Sequence, residues 1–139
     1  MKNQYIRQIE AVNYWDHPPK SGRFLRYNYL NLILSYLDSN ILKVLIGQRR
    51  CGKSTLLKQA IGALIQQGIP SNNILYLNFE LHQLQFIQSH HVLTEVIESY
   101  YKERKPKGKV IIFLDEIQEV ESWEKTVNSY LANERFDID

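Results

Sequence analysis

An apolar stretch, Lys43-Val44-Leu45-Ile46, runs straight into Gly47-Gln48-Arg49-Arg50-Cys51-Gly52-Lys53-Ser54, and Thr55 opens an apolar-periodic segment immediately after it. Few short patterns restrict a fold so tightly. Gly47 lets the backbone leave a strand in a sharp turn, and Gly52 lets the main chain approach a ligand with no Cβ in the way. Successive N–H groups in such a loop, backed by the positive end of a helix dipole, form an anion site. The spacing is that of G-x-x-x-x-G-K-[ST], in which the lysine reaches β- and γ-phosphates and the hydroxyl residue ligates Mg²⁺. Residues 47–55 are therefore the candidate phosphate cradle, with Lys53 as its cation and Ser54 as a metal ligand.

The flanking pattern supplies the strand and the helix that this loop requires. Val44, Leu45 and Ile46 read as a strand buried on both faces. Leu56, Leu57, Ala60, Ile61, Leu64 and Ile65 share one helical face, and Gly68 with Pro70 supplies the stop. A second apolar strand is expected over 74–79. A helix carrying Leu93, Val96, Ile97 and Tyr100 follows, ending in the basic run 102–109 (KERKPKGK). Residues 110–114 are a third strand, and Ser122 is an expected N-cap for a helix striped by Trp123, Val127, Tyr130 and Leu131. Residues 136–139 look like the start of another strand. Upstream, Leu30, Ile33, Leu34 and Leu37 mark an amphipathic helix over 29–37. Residues 13–22 read as an irregular lead-in, and the first twelve residues stay open between a short helix and an extended arm. Strands alternating with helices imply right-handed crossovers and a parallel sheet covered on both faces, so the fold class is α/β.

A second constellation lies at the end of the third strand, in Val110-Ile111-Ile112-Phe113-Leu114-Asp115-Glu116. A hydrophobic strand ending in aspartate is the Walker B pattern, whose carboxylate holds Mg²⁺. With Asp115 committed to the metal, Glu116 is free to orient and deprotonate an attacking water, which makes it, with Lys53, the catalytic candidate. Both acids belong at the C-terminal edge of the sheet, where open α/β sheets bind ligands. Glu80 should reach the same edge from the second strand. Arg49 and Arg50 are open between phosphate contact and solvent, and Cys51 reads as an incidental loop residue. His90 and His91 are adjacent, so they cannot face one metal from a helix. The run 102–109 reads first as a solvated turn, with nucleic-acid contact as its alternative.

Composition narrows the class further. The chain has 139 residues, enough for one domain, and a net charge of only +2, which argues against a broad nucleic-acid footprint. Its single cysteine forbids an internal disulfide. No apolar run approaches the ~20 residues that span a bilayer, and no leader is apparent, so the expected location is cytoplasmic, with no membrane partner.

The runs Gly47-Gln48-Arg49-Arg50-Cys51-Gly52-Lys53-Ser54-Thr55-Leu56-Leu57, Tyr76-Leu77-Asn78-Phe79-Glu80 and Phe113-Leu114-Asp115-Glu116-Ile117-Gln118-Glu119-Val120, with Trp123 just after, resemble a bacterial and archaeal family of AAA-type ATPases. The resemblance runs from about Arg26 to the end, leaving 1–25 as lead-in and 26–139 as the ATPase domain. It implies a P-loop, AAA-like, three-layer fold that takes ATP with Mg²⁺, and a longer protein with a C-terminal domain of unassigned function. It also implies that the Asp115 strand is not next to the loop-bearing strand, the gap being filled by a strand beginning near Phe136. Sensor and lid regions would lie beyond residue 139, so the 139-residue piece should bind ATP weakly and turn it over near background. The implied role is hydrolysis that drives a conformational change on an unidentified protein client, with self-association open. The alternatives are a nucleotide-dependent switch with little turnover, a DNA-associated ATPase resting on 102–109, and a small-molecule kinase with no readable acceptor site.

Overall fold

A computed structural model describes residues 4–16, 42–47, 53–131 and 135–138. Four parallel strands form one sheet: β1 (Leu42–Gly47), β2 (Ile74–Asn78), β3 (Val110–Asp115) and β4 (Arg135–Ile138), in the spatial order β2-β3-β1-β4. The described helices are α1 (Gln4–Glu10), α2 (Lys53–Gln66), α3 (His90–Arg104) and α4 (Trp123–Leu131). The helix expected over 29–37 lies outside the described residues.

Alternation along β2 and β3 divides the core into two layers. Ile74, Tyr76, Ile111 and Phe113 face Ala60, Ile61 and Leu64 of α2. Leu75, Leu77, Val110, Ile112 and Leu114 face the other way, against Ile6 and Ile9 of α1, Leu93, Val96 and Tyr100 of α3, and Val127 of α4. Helices thus cover both faces, as uniformly apolar parallel strands require. The connection β1–α2–β2 runs one way across the sheet, whereas β2–α3–β3 and β3–α4–β4 run the other way. Placing α2 opposite α3 and α4 gives all three crossovers one hand.

Strand order departs from the expectation drawn from the family resemblance. β3 lies directly beside β1, paired over six residues from Leu42↔Val110 to Gly47↔Asp115, and no strand separates them. The strand at Phe136 does form, but on the far side of β1, with Val44↔Arg135 through Gly47↔Ile138. β1 is therefore flanked on both edges, and no gap for a further strand lies between it and β3. The reason is the cost of unpaired backbone groups. Two equally long apolar strands pair along their whole length, and the four-residue β4 takes the edge left over.

Helix ends follow local chemistry. After α2, Gly68 adopts φ 106°, and the N–H groups of Ile69 and Gly68 donate to the carbonyls of Leu64 and Ile65 at 3.1 Å each. That is a Schellman stop, which needs a residue without Cβ. α3 ends at Lys105, itself left-handed, whose N–H donates to the Tyr101 carbonyl. Ser122 precedes α4 but takes φ 57° rather than the extended geometry of the expected N-cap; its carbonyl accepts from Lys125 N–H.

The residues before the sheet are built into it. The Asn13 side-chain amide donates to the Tyr76 carbonyl at 3.0 Å and accepts from the Tyr76 N–H at 2.6 Å, as a neighbouring strand residue would. The Trp15 indole N–H donates to the Ile74 carbonyl at 2.8 Å. The outer edge of β2 is thereby occupied, which removes a template for strand pairing with other chains. Truncating Asn13 to alanine takes both lateral bonds from buried backbone. We expect a loss of about 2–3 kcal/mol in stability, read as a lowered urea midpoint with the slope unchanged.

Candidate functional site

The C-terminal edge of the sheet collects the residues that terminate three strands, two of them polar. Gly47 ends β1, Asp115 ends β3 and Asn78 ends β2, and the pairings Gly47↔Asp115 and Asn78↔Asp115 set the three abreast. Asp115 is fully buried, and Asn78 is 9% exposed. Four upstream residues of β3, Ile111 to Leu114, are apolar and buried, so the aspartate is the first polar group the strand delivers.

Glu116 follows at the turn out of β3. It is 5% exposed and holds φ 59°, ψ 42°, a left-handed conformation uncommon for a side chain with Cβ. The 3₁₀ turn Ile117–Glu119 then folds the chain back, with Glu119 N–H donating to the Glu116 carbonyl at 3.2 Å. Buried Ile117 anchors that turn in the core. On its outer side, the Gln118 amide Nε2 donates to Glu116 Oε1 at 2.5 Å. Neighbouring bonds tie the edge together: Phe79 N–H donates to the Asp115 carbonyl at 3.0 Å, and Asn78 Oδ1 accepts from Glu80 N–H at 3.0 Å. Glu80 reaches the expected edge but is exposed.

The phosphate-loop candidates divide into two groups. Gly47 closes β1, and α2 begins at Lys53 and runs through Ser54 and Thr55. Gln48, Arg49, Arg50, Cys51 and Gly52 lie outside the described residues. A strand ends at Gly47 and a helix starts at Lys53, the two elements between which the motif is expected. The buried carboxylate of Asp115 stands beside the strand end Gly47, and carboxylate oxygen is the kind of donor that a hard divalent cation takes.

Two residues of this edge carried no role in the sequence reading. Asn78 could have been noticed as the polar residue closing an otherwise apolar strand. Gln118 could have been noticed only through the turn that brings it back on Glu116.

Other candidates lie elsewhere. His90 is half-buried and His91 exposed, their rings 4.0 Å apart, and no group of three or more metal-ligating side chains occurs among the described residues. Partial desolvation first, and then the proximity of His91 and Lys125, lower the His90 pKa, and Glu121 opposes them. The basic run lies before β3, at the opposite end of the sheet from Asp115. Lys102, Lys105 and Lys107 are exposed there. Arg104 instead stacks over Trp15, its Cζ 4.4 Å from the ring centroid, and donates to Asn72 Oδ1 at 2.6 Å. No helix among the described residues is long and apolar enough to cross a membrane.

A family model described as an AAA domain matches residues 39–138. A Haemophilus influenzae protein described as an uncharacterized protein is 41% identical over 113 residues, 81% of this chain. The aligned segment spans 28% of that relative's length. No solved structure matches.

Proposed function

Because the chain belongs to the AAA domain family, we propose that it is the nucleotide-binding part of an ATPase that takes ATP with Mg²⁺ and hydrolyses it. The observation that carries this reading is the alignment of Gly47 with Asp115 at one sheet edge, with buried Glu116 next in the chain. In this reading the amides of residues 47–55 and the Lys53 ammonium hold the β- and γ-phosphates. Ser54 and Asp115 would hold Mg²⁺, which when bound neutralises charge on the phosphate oxygens. Glu116 accepts a proton from the attacking water, and its isolation from solvent keeps that carboxylate from being spent on bulk water. Turnover would then drive a conformational change in a longer protein acting on a protein client.

Calorimetric titration of ATP with and without Mg²⁺ tests the metal site. Asp115→Asn keeps the size of the side chain but removes its charge. We expect the variant to lose most of the affinity gained from Mg²⁺ while metal-free ATP binding stays within about threefold, since a hard cation prefers charged oxygen. An undiminished Mg²⁺ effect would take Asp115 out of the site.

A further inference from the structure

The hydrogen bond from Gln118 to Glu116 joins two side chains only two positions apart, and three independent features make it a built contact. Glu116 has left-handed backbone, which turns the chain at the strand end. The next residue, Ile117, is fully buried, so the turn is fastened to the core. The Glu119 N–H closes the turn onto the Glu116 carbonyl. Gln118, itself exposed, is thereby carried back over Glu116, where its amide meets one oxygen of the carboxylate, Oε1. A neutral amide donating to a carboxylate is a charge-assisted bond, shorter and stronger than a neutral pair. It fixes the rotation of the carboxylate plane about the last side-chain bond, a torsion that is otherwise broad.

We propose that Gln118 is a positioning residue for Glu116: its amide occupies Oε1 and leaves Oε2 as the oxygen that accepts the proton of the attacking water. This rests on the ATPase reading above. Gln118 touches neither phosphate nor metal in this scheme and acts only through the glutamate. An unheld carboxylate samples rotations in which neither lone pair faces the water, so removing the amide lowers the rate of the chemical step and leaves nucleotide grip alone. A mere brace for the turn would behave otherwise, since its loss would lower stability with little effect on the rate of the folded protein.

The test is single-turnover hydrolysis of ATP by the full-length protein in excess over nucleotide, with ATP affinity measured in parallel. Gln118→Ala should lower the rate constant about 10-fold, a fraction of the ~10²–10⁴ that general-base assistance supplies, with affinity changed less than about twofold. Gln118→Glu, equal in size but with no donor at neutral pH, should do no better than alanine. In a Glu116→Gln background, adding Gln118→Ala should cost nothing further, because the two residues act as one unit. Full additivity, or a rate that Gln118→Ala leaves unchanged, overturns the proposal. A second readout needs no turnover: the Gln118 side-chain amide protons should resonate apart from those of the other glutamines and rejoin them in Glu116→Ala. Signals indifferent to that change also overturn it. Turnover that depends on Lys53 and Glu116 but ignores Gln118 removes this inference alone. Absence of any Lys53-dependent turnover removes the ATPase reading and the positioning role with it.

Discussion

Replacing Lys53 with alanine is expected to remove measurable ATP binding. The loop's backbone amides are partial charges, and Lys53 is the one full positive charge that the motif aims at the β- and γ-phosphates. Arg49 and Arg50, open between phosphate contact and solvent, stand at positions to which the motif gives no fixed charge. Removing one partner of a desolvated, hydrogen-bonded charge pair costs about 2–5 kcal/mol, roughly 30- to several-thousand-fold in affinity at 1.4 kcal/mol per decade. The fold should survive the change. Lys53 opens α2, and alanine is the better helix former at such a position. An unaltered circular dichroism spectrum beside a flat calorimetric titration is therefore the expected pair of results. Unchanged affinity would mean that residues 47–55 do not grip the nucleotide.

Glu116→Gln should separate binding from chemistry. Glutamine keeps the volume of the buried side chain and a hydrogen-bonding capacity, so the turn at φ 59° and the packing of Ile117 should persist. It loses the base. Turnover in the full-length protein should fall by about 10²-fold or more, while ATP affinity remains close to that of the parent. Measured by single-turnover hydrolysis and equilibrium titration on the same preparation, equal turnover would show that some other group positions the water.

The elements of the fold were readable where a single local signal decided them. β3 is the most apolar run in the chain, and α2 shows helical periodicity bounded by Gly68 and Pro70, so both fell within a residue or two of expectation. The order of strands was not readable from pattern. β2 and β3 are buried on both faces, so no alternation tells one neighbour from another. The expectation that another strand separates β1 from β3 came from resemblance, and direct pairing overturned it. The grip of Asn13 and Trp15 on β2 was also illegible, because a side-chain amide replacing a strand has no periodic signature. At the site, sequence named Asp115 and Glu116 from one dipeptide after an apolar run. It gave no role to Asn78, whose place depends on long-range register, or to Gln118, whose reach depends on a left-handed residue before it.

The clamp at the far end of the sheet bears on where the acidic residues come to rest. Buried Asn73, just before β2, donates through Nδ2 to the carbonyls of both Lys107 and Lys109, at 2.7 and 2.6 Å. Next to it, Asn72 donates to the Arg104 carbonyl, and its own carbonyl accepts from the Tyr100 hydroxyl at 2.7 Å, whose pKa burial raises well above the ordinary value. Because β3 is apolar on both sides, sliding it one step along β2 would still set apolar side chains against apolar layers, and only the fit of those layers would object. Such a slip would displace the Asp115 carboxylate by about 3.3 Å and turn it to the opposite face. A set of polar bonds that match at only one setting adds to that packing in opposing the slip. Asn73 therefore works as the zero mark of a ruler: a side chain at one end of the sheet helps to set where, a strand's length away, the acid is delivered.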